Sequence, residues 1–351
     1  MATIKDIFQE AIIRKASDVH LVVDMPAMLR IDGELIDLDE KKLSKKEVEI
    51  LVLSLLSPEQ KKVFLENKEL DFGYEANDLT RFRINVHFEK GNMGLVARVI
   101  SNITPTMESL DIPEVIYKLL DVKQGLILVT GPTGCGKSSS LAAMVNYINS
   151  KYRYHIITLE DPIEYVFKPK NGIIIQRQLG SDMLNFSEGL KHALRQDPNV
   201  VMVGEMRDLE TIAATITLAE TGHLVLATLH TYSAAQTIDR IIDIFPPHQQ
   251  NQIRMQLSIT LASVISQRLL PKQGGGRVAA REILINTPAV GNIIRENKIA
   301  QLKTVIETSA KDGMISMDND IKRLYNKGLI TKEAAQTQME NPEVLEKFKP
   351  I

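Results

Sequence analysis

The chain reads as an α/β protein: a parallel-sheet domain preceded by a smaller α+β domain. Three observations predict this. The segment Gly131-Pro132-Thr133-Gly134-Cys135-Gly136-Lys137-Ser138 follows the apolar run Leu126-Ile127-Leu128-Val129-Thr130. That is a phosphate-binding loop placed between a strand and a helix, the context its chemistry requires. From Gly125 onward, short apolar runs alternate with helical patterns, as crossover-connected parallel strands do. Residues 1–100 instead show hairpin signals and polar–apolar alternation.

Taken in order, Ile4, Ile7, Phe8, Ala11 and Ile12 fall at helical spacing. A strand is expected at 20–23, and 28–31 with 35–36 forms a hairpin about the turn Asp32-Gly33. Residues 44–66 read as one helix, opened by Ser44 and Glu47 as a capping box. Residues 81–88 alternate as a half-buried strand and return through Gly91-Asn92-Met93-Gly94 into 95–100. Residues 101–122, with Pro105 and Pro113, read as a linker carrying a short helix. The second domain, 123–351, is expected to hold strands at 126–130, 155–159, 173–176, 200–203 and 224–229. Asp208 caps a helix over 209–221 that stops at Gly222. A hairpin spans 268–285 about Gly274-Gly275-Gly276, and from about residue 288 the chain is helical.

At 351 residues the chain exceeds one ordinary core, in keeping with two domains. Its 42 basic and 44 acidic residues nearly cancel, so no global field favours a nucleic-acid partner. The single cysteine, Cys135, excludes an internal disulfide and a cysteine zinc site, and fits a reducing cytosol. No apolar run approaches the roughly 20 residues of a membrane-spanning helix. The acidic residues within 1–14 argue against a secretory leader.

The chemistry-bearing residues fall in blocks. In the loop, glycines let backbone N–H groups approach a triphosphate, Lys137 reaches its β- and γ-phosphates, and the Ser138 hydroxyl is offered to Mg²⁺. Ser139 follows on the same first helical turn, and Cys135 needs only to be small. The apolar strand 200–203 ends in Gly204-Glu205. Glu205 is placed to orient or deprotonate an attacking water, and Gly204 occupies the position where a Mg²⁺-binding aspartate is usual. The segment Thr158-Leu159-Glu160-Asp161-Pro162-Ile163-Glu164-Tyr165 clusters carboxylates past a strand end. Ligands bind at such ends in open α/β sheets, and Glu160 is the candidate for the missing Mg²⁺ ligation. His230 follows the strand 224–229, near where a γ-phosphate would lie, and His223 precedes it. Spacing leaves His223 equally open to a structural role. Arg81, Arg83 and Arg98 on the paired strands read, by themselves, as a solvated face, with Arg195, Arg207 and Arg240 as further candidates in the second domain.

These four blocks, in this order, resemble the type II/IV secretion ATPase superfamily, with its Walker A loop, acidic box, atypical Walker B strand and histidine box. The likeness extends to Ala16-Ser17-Asp18-Val19-His20-Leu21, to residues 30–35 and to Gly204-Glu205-Met206-Arg207-Asp208-Leu209-Glu210-Thr211-Ile212. Residues 289–296, Ala-Val-Gly-Asn-Ile-Ile-Arg-Glu, resemble a signature of the branch that retracts type IV pili, with Gly291 where that signature has arginine. The resemblance implies a RecA-like P-loop core, a PAS-like first domain and a homohexameric ring that hydrolyses ATP with Mg²⁺. It implies that Arg81, Arg83 and Arg98 of one subunit complete a neighbour's site, and that His223 joins the nucleotide-binding set. It implies an inner-membrane pilus platform protein as partner, a paralogous retraction ATPase as a further one, and a cytoplasmic place against the inner membrane at the pilus base. An assembly or secretion ATPase of the same superfamily is the alternative, and a nucleic-acid translocase a more distant one.

Overall fold

A computed structural model of the chain describes residues 3–31, 33–77, 80–101 and 103–345. It forms two compact units, Met1–Thr104 with Pro162–Val166, and Pro105–Asp161 with Phe167–Ile351.

The first unit runs α1 (Ile4–Ile13), β1 (Asp18–Leu21), β2 (Met28–Ile31), β3 (Glu34–Asp37), α2 (Lys45–Leu53), α3 (Pro58–Asn67), β4 (Glu69–Asn77), β5 (Thr80–Glu89) and β6 (Asn92–Ser101). Its six-stranded sheet has the order β3-β2-β1-β6-β5-β4, with every pairing antiparallel. Along β5 the expected alternation holds. Phe82, Ile84 and Val86 are fully buried, while Arg81 and Arg83 point to the other face. Phe8 of α1 stacks on Phe82 with ring centroids 4.1 Å apart, which fixes the helix on the core face. The expected single helix over 44–66 is two helices. Ser44 and Glu47 do form a capping box. A second one, Ser57 with Gln60, starts a new helix at Pro58, where a ring without an N–H is tolerated only in the first turn. Strand β4 was not expected, and β1 starts two residues before the predicted 20–23. Asp32, expected in the hairpin turn with Gly33, lies outside the described residues.

The second unit runs α4 (Glu114–Leu119), β7 (Gly125–Thr130), α5 (Lys137–Lys151), β8 (His155–Glu160), β9 (Ile173–Gln178), α6 (Phe186–Ala193), β10 (Val200–Val203), α7 (Leu209–Glu220), β11 (Leu224–Leu229), α8 (Ala234–Asp243), α9 (Pro247–Thr260), β12 (Leu261–Pro271), β13 (Arg277–Ile285), α10 (Pro288–Arg295), α11 (Leu302–Thr308), α12 (Met317–Asn326) and α13 (Lys332–Gln338). Its seven-stranded sheet has the order β13-β12-β7-β11-β10-β8-β9. All neighbours are parallel except the β12–β13 hairpin. Every residue of β7, β10 and β11 is buried, which explains their unbroken apolar sequence. Asp208 caps α7 by accepting the Thr211 N–H at 2.7 Å. The hairpin about 274–276 is longer than expected. Its first strand begins at Leu261 and pairs with β7, so it belongs to the central sheet.

Residues following Pro105 pack into this unit, with Met107, Ile112, Ile116 and Leu120 buried. Arg281, only 1% exposed, donates to the carbonyl oxygens of Leu110 (3.1 Å) and Asp111 (3.2 Å). Arg323 bridges the carboxylates of Asp320 and Asp111, each at 2.6 Å.

Register places the site. Val203 pairs with Leu159 on one side and Ala227 on the other, and Thr130 pairs with Leu229. The carboxyl ends of β7, β8, β10 and β11 therefore lie along one edge of the sheet, where the four sequence blocks begin.

Candidate functional site

The loop between β7 and α5 is built from its glycines. Gly131 has φ +144°, and a Cβ there would run into the carbonyl oxygen of Gln267 and into Cys135 Sγ. Gly136 ends the loop at φ +89° and leads into Lys137, the first residue of α5. Lys137 is nearly buried. Its ammonium donates to the carbonyl oxygens of Gly131 (2.8 Å) and Pro132 (3.1 Å) and lies 3.5 Å from His230 Nδ1. Thr133 Oγ1 is also 3.5 Å from that nitrogen. Gly134, Ser138 and Thr133 are exposed, with Pro132 and Ser139 half-buried. The amino end of α5 thus presents backbone N–H groups, a hydroxyl and an ammonium at one place, the electrostatics that an oligophosphate requires.

Behind the loop, Gln267 of β12 acts as a brace that the sequence reading missed. Its amide donates to Cys135 O at 2.8 Å and accepts from Ser140 Oγ at 2.9 Å. The signal was the polar run Ser266-Gln267-Arg268 inside a strand that is otherwise mostly apolar. Ser266 Oγ lies 2.9 Å from Thr130 Oγ1 at the end of β7. Cys135 is buried, and burial pushes its thiol above the ordinary range. It fills space beside Gly131 and is no nucleophile.

From β10, Gly204 is packed tightly. Its N–H donates to Leu159 O at 2.8 Å, and its carbonyl accepts from Thr228 Oγ1. A Cβ at this position would stand 3.1 Å from Leu159 O and 3.4 Å from Glu160 Cα. A side chain here would press on β8, which would have to give by a few tenths of an ångström, so a glycine fits this strand end well. Glu205 is brought to the loop's edge. Arg207 Nε lies 2.5 Å from Glu205 Oε1, and His230 Nε2 lies 3.7 Å from Oε2. Desolvation, with the Lys137 ammonium nearby, holds the His230 imidazolium below its ordinary pKa of 6.5. Neutral at physiological pH, that ring can accept or relay a hydrogen bond between Glu205 and the loop.

The acidic box is divided between the two compact units. Glu160, at the end of β8, is 7% exposed and accepts from Thr158 Oγ1 at 2.6 Å and Gln176 Nε2 at 3.0 Å. Glu164 belongs to the first unit, where it lies 3.5 Å from Arg83 Nη1. Among the described residues no group of three or more His, Cys, Asp and Glu side chains could hold a metal ion. Ser138 offers a hydroxyl and Glu160 a carboxylate, the kinds of oxygen donor that Mg²⁺ takes alongside water and phosphate oxygens.

His223 is not among the side chains brought to this edge. It sits at the amino end of β11, about 20 Å from the strand's other end, with Nδ1 3.1 Å from Leu218 O and 3.2 Å from Thr221 Oγ1. Arg81, Arg83 and Arg98 lie on the outward face of the first unit's sheet. Arg83 pairs in register with Arg98, and Arg98 with Asp18. Arg98 Nε lies 2.9 Å from Asp18 Oδ1.

A family model described as type II/IV secretion system protein matches residues 1–274. The chain belongs to that family. Among members of the type II/IV secretion system family, the chain is 48% identical over 328 residues to the type IV pilus retraction ATPase PilT of Pseudomonas aeruginosa, covering 93% of this chain and 95% of the relative. It is 45% identical over 317 residues to a twitching motility protein of Neisseria gonorrhoeae, covering 90% and 85% respectively. A crystal structure of the pilus retraction motor PilT with bound ADP superposes with a TM-score of 0.91 at 44% identity, covering 99% of this chain and all of that one. The family's P-loop ATPase fold is therefore the fold of this chain. No helix among the described residues is long and apolar enough to cross a membrane.

Proposed function

We propose that this chain is an ATP-hydrolysing motor that powers the retraction of type IV pili. The observation that carries the reading is the convergence of Lys137, Glu205 and His230 on one strand-end edge, in a chain 48% identical to a pilus retraction ATPase. Lys137 binds the terminal phosphates of ATP, exchanging the neutral carbonyls of Gly131 and Pro132 for anionic oxygens. Glu205 orients the attacking water and takes its proton, while Arg207 holds the carboxylate in position and His230 stands beside it. Ser138 and Glu160 would hold Mg²⁺, which supplies neutralisation of charge on the transferring phosphoryl group. His223, at the other end of β11 and bonded to Leu218 and Thr221, takes no part in this cluster.

The motor is a homohexamer in which the outward arginines of one copy reach the nucleotide of the next, as arginine fingers in trans do. Nucleotide-driven closing and reopening of adjacent subunits turns phosphate energy into rotation of one domain against another. It works from the cytoplasm against an inner-membrane platform protein at the pilus base, alongside a paralogous retraction ATPase.

Two experiments test this. Lys137→Ala lowers ATP turnover at least ~100-fold; unchanged turnover would refute the site. A strain lacking the gene accumulates surface pili and stops twitching, whereas a strain stripped of pili would show an assembly ATPase instead.

A further inference from the structure

A group of buried hydroxyls lies beneath the strand-end edge. Thr130 is the last residue of β7 and leads directly into the phosphate loop, while Thr231 follows His230. Between them stands Thr237, in the first turns of α8 and fully buried. Its Oγ1 donates to Ser233 O at 2.7 Å, lies 2.7 Å from Thr231 Oγ1 and stands 3.5 Å from Thr130 Oγ1. A hydroxyl has one proton, so with that proton on Ser233 it is Thr231 that donates to Thr237. Thr130 shares a 2.9 Å bond with Ser266 of β12. Thr130, Thr237 and Ser266 are fully buried, where a bond between hydroxyls is strong and its loss is felt.

We propose that Thr237 is a positioning residue for hydrolysis: its hydroxyl holds the turn that carries His230 against the end of β7, and so sets the imidazole beside the phosphate loop. This rests on the reading of this edge as the ATP-hydrolysing site. Thr237 touches no substrate and acts through Thr231 and His230. The ring stands 3.5 Å from both Lys137 Nζ and Thr133 Oγ1, and 3.7 Å from Glu205 Oε2. These distances are at the outer limit of hydrogen bonding, so a small shift of the turn opens or closes them. The amino end of α8 has other anchors. Ser233 Oγ accepts the Gln236 N–H at 3.3 Å, and Glu282 of β13 accepts that of Ala234 at 2.8 Å. Without the hydroxyl, Ser233 O keeps the backbone N–H of residue 237 at 3.0 Å, and Thr130 keeps Ser266. The loss therefore falls on Thr231 and the His230 turn rather than on the helix.

The test is steady-state ATP hydrolysis by the full-length assembled protein carrying T237V, T237S, T231V or T231V with T237V, and K137A as reference. T237V keeps the shape without the hydroxyl. It lowers kcat about tenfold or more, as a displaced catalytic group does, and leaves the KM for ATP within about twofold of the parent. T237S restores kcat. T231V deletes the other half of the same bond, so it matches T237V, and the double variant is no worse than either single one. Melting temperatures within about 4 °C of the parent show that the variants fold. If T237V melts earlier, T231V, at a position 9% exposed, decides alone. With K137A impaired, parental turnover in T231V and T237V overturns the tie and leaves the site reading standing. A raised KM without loss of kcat, a T237S variant as impaired as T237V, or losses that multiply in the double variant also overturn the tie. Unimpaired turnover in K137A overturns the site reading itself.

Discussion

Arg207 Nε sits 2.5 Å from one carboxylate oxygen of Glu205, while His230 Nε2 stands 3.7 Å from the other. A strand-end acid whose side chain is only 15% exposed, and which Arg207 pairs from one side, is placed like a general base rather than a solvated surface group. Glu205→Gln keeps the shape and loses the base, so ATP turnover falls about 10²- to 10⁴-fold. Nucleotide affinity, read by titration with a fluorescent analogue, stays within a few-fold of the parent. Turnover that survives the substitution would remove Glu205 from the mechanism.

The depressed titration of His230 has a sign. Its folded-state pKa lies below the ordinary 6.5, mainly through desolvation and the Lys137 ammonium. His20 is depressed as well, again first by desolvation. The unfolded chain then binds more protons as pH drops below about 6.5, so stability is lost on acidification through that window and is unaffected above it. Thermal melts at pH 7.5 and 5.5 check this. His230→Asn narrows the gap between the two melting temperatures, and a gap that widens contradicts the assignment.

The close approach of Gly204 to Leu159 predicts the cost of restoring a conventional strand end. Gly204→Asp presses a Cβ against the Leu159 carbonyl oxygen at 3.1 Å, so β8 must give by a few tenths of an ångström. The expected loss is about 1–3 kcal/mol, as for other overpacked sites. It is measured by denaturant titration, and a fully stable, active variant would show that the gap tolerates a side chain.

Arg281 joins the segment after Pro105 to the hairpin strand β13, with its own backbone N–H donating to Asp320 at 2.8 Å. Burial draws its guanidinium down to about 10, yet it stays charged at neutral pH. Arg281→Met leaves the Leu110 and Asp111 carbonyls without a donor, while Asp320 keeps Arg323 and the backbone N–H of residue 281. A loss of about 1–3 kcal/mol is expected. A melting curve indistinguishable from the parent would show that the network carries no net stability.

Much of the site was legible because its logic is local. A glycine-rich loop between an apolar strand and a helix needs only consecutive residues to bind phosphate, and Lys137, Ser138 and Glu205 each follow a strand readable from its own composition. The break at Ser57-Pro58 was also written locally, as a capping box with proline at the first helical position, but a continuing apolar pattern concealed it. Strand β4 carried the same alternation as β5, with Leu70, Phe72 and Tyr74 set between Glu69, Asp71, Gly73 and Glu75, but it went unread; it pairs with β5 along Glu69–Asn77.

By itself the sequence determined the strand-loop-helix phosphate site, the alternating buried face of β5 and the parallel character of the second sheet. Each depends on side-chain periodicity or on backbone freedom within a few residues. Tertiary structure decided which distant groups meet. Parallel register brought Glu205 and His230 to the loop, Gln267 came from a strand 130 residues beyond Lys137 to brace it, and packing against Leu159 explained Gly204. It also separated Glu160 from Glu164, neighbours in sequence, into different units, because strand pairing claimed one and an arginine of the other sheet claimed the second.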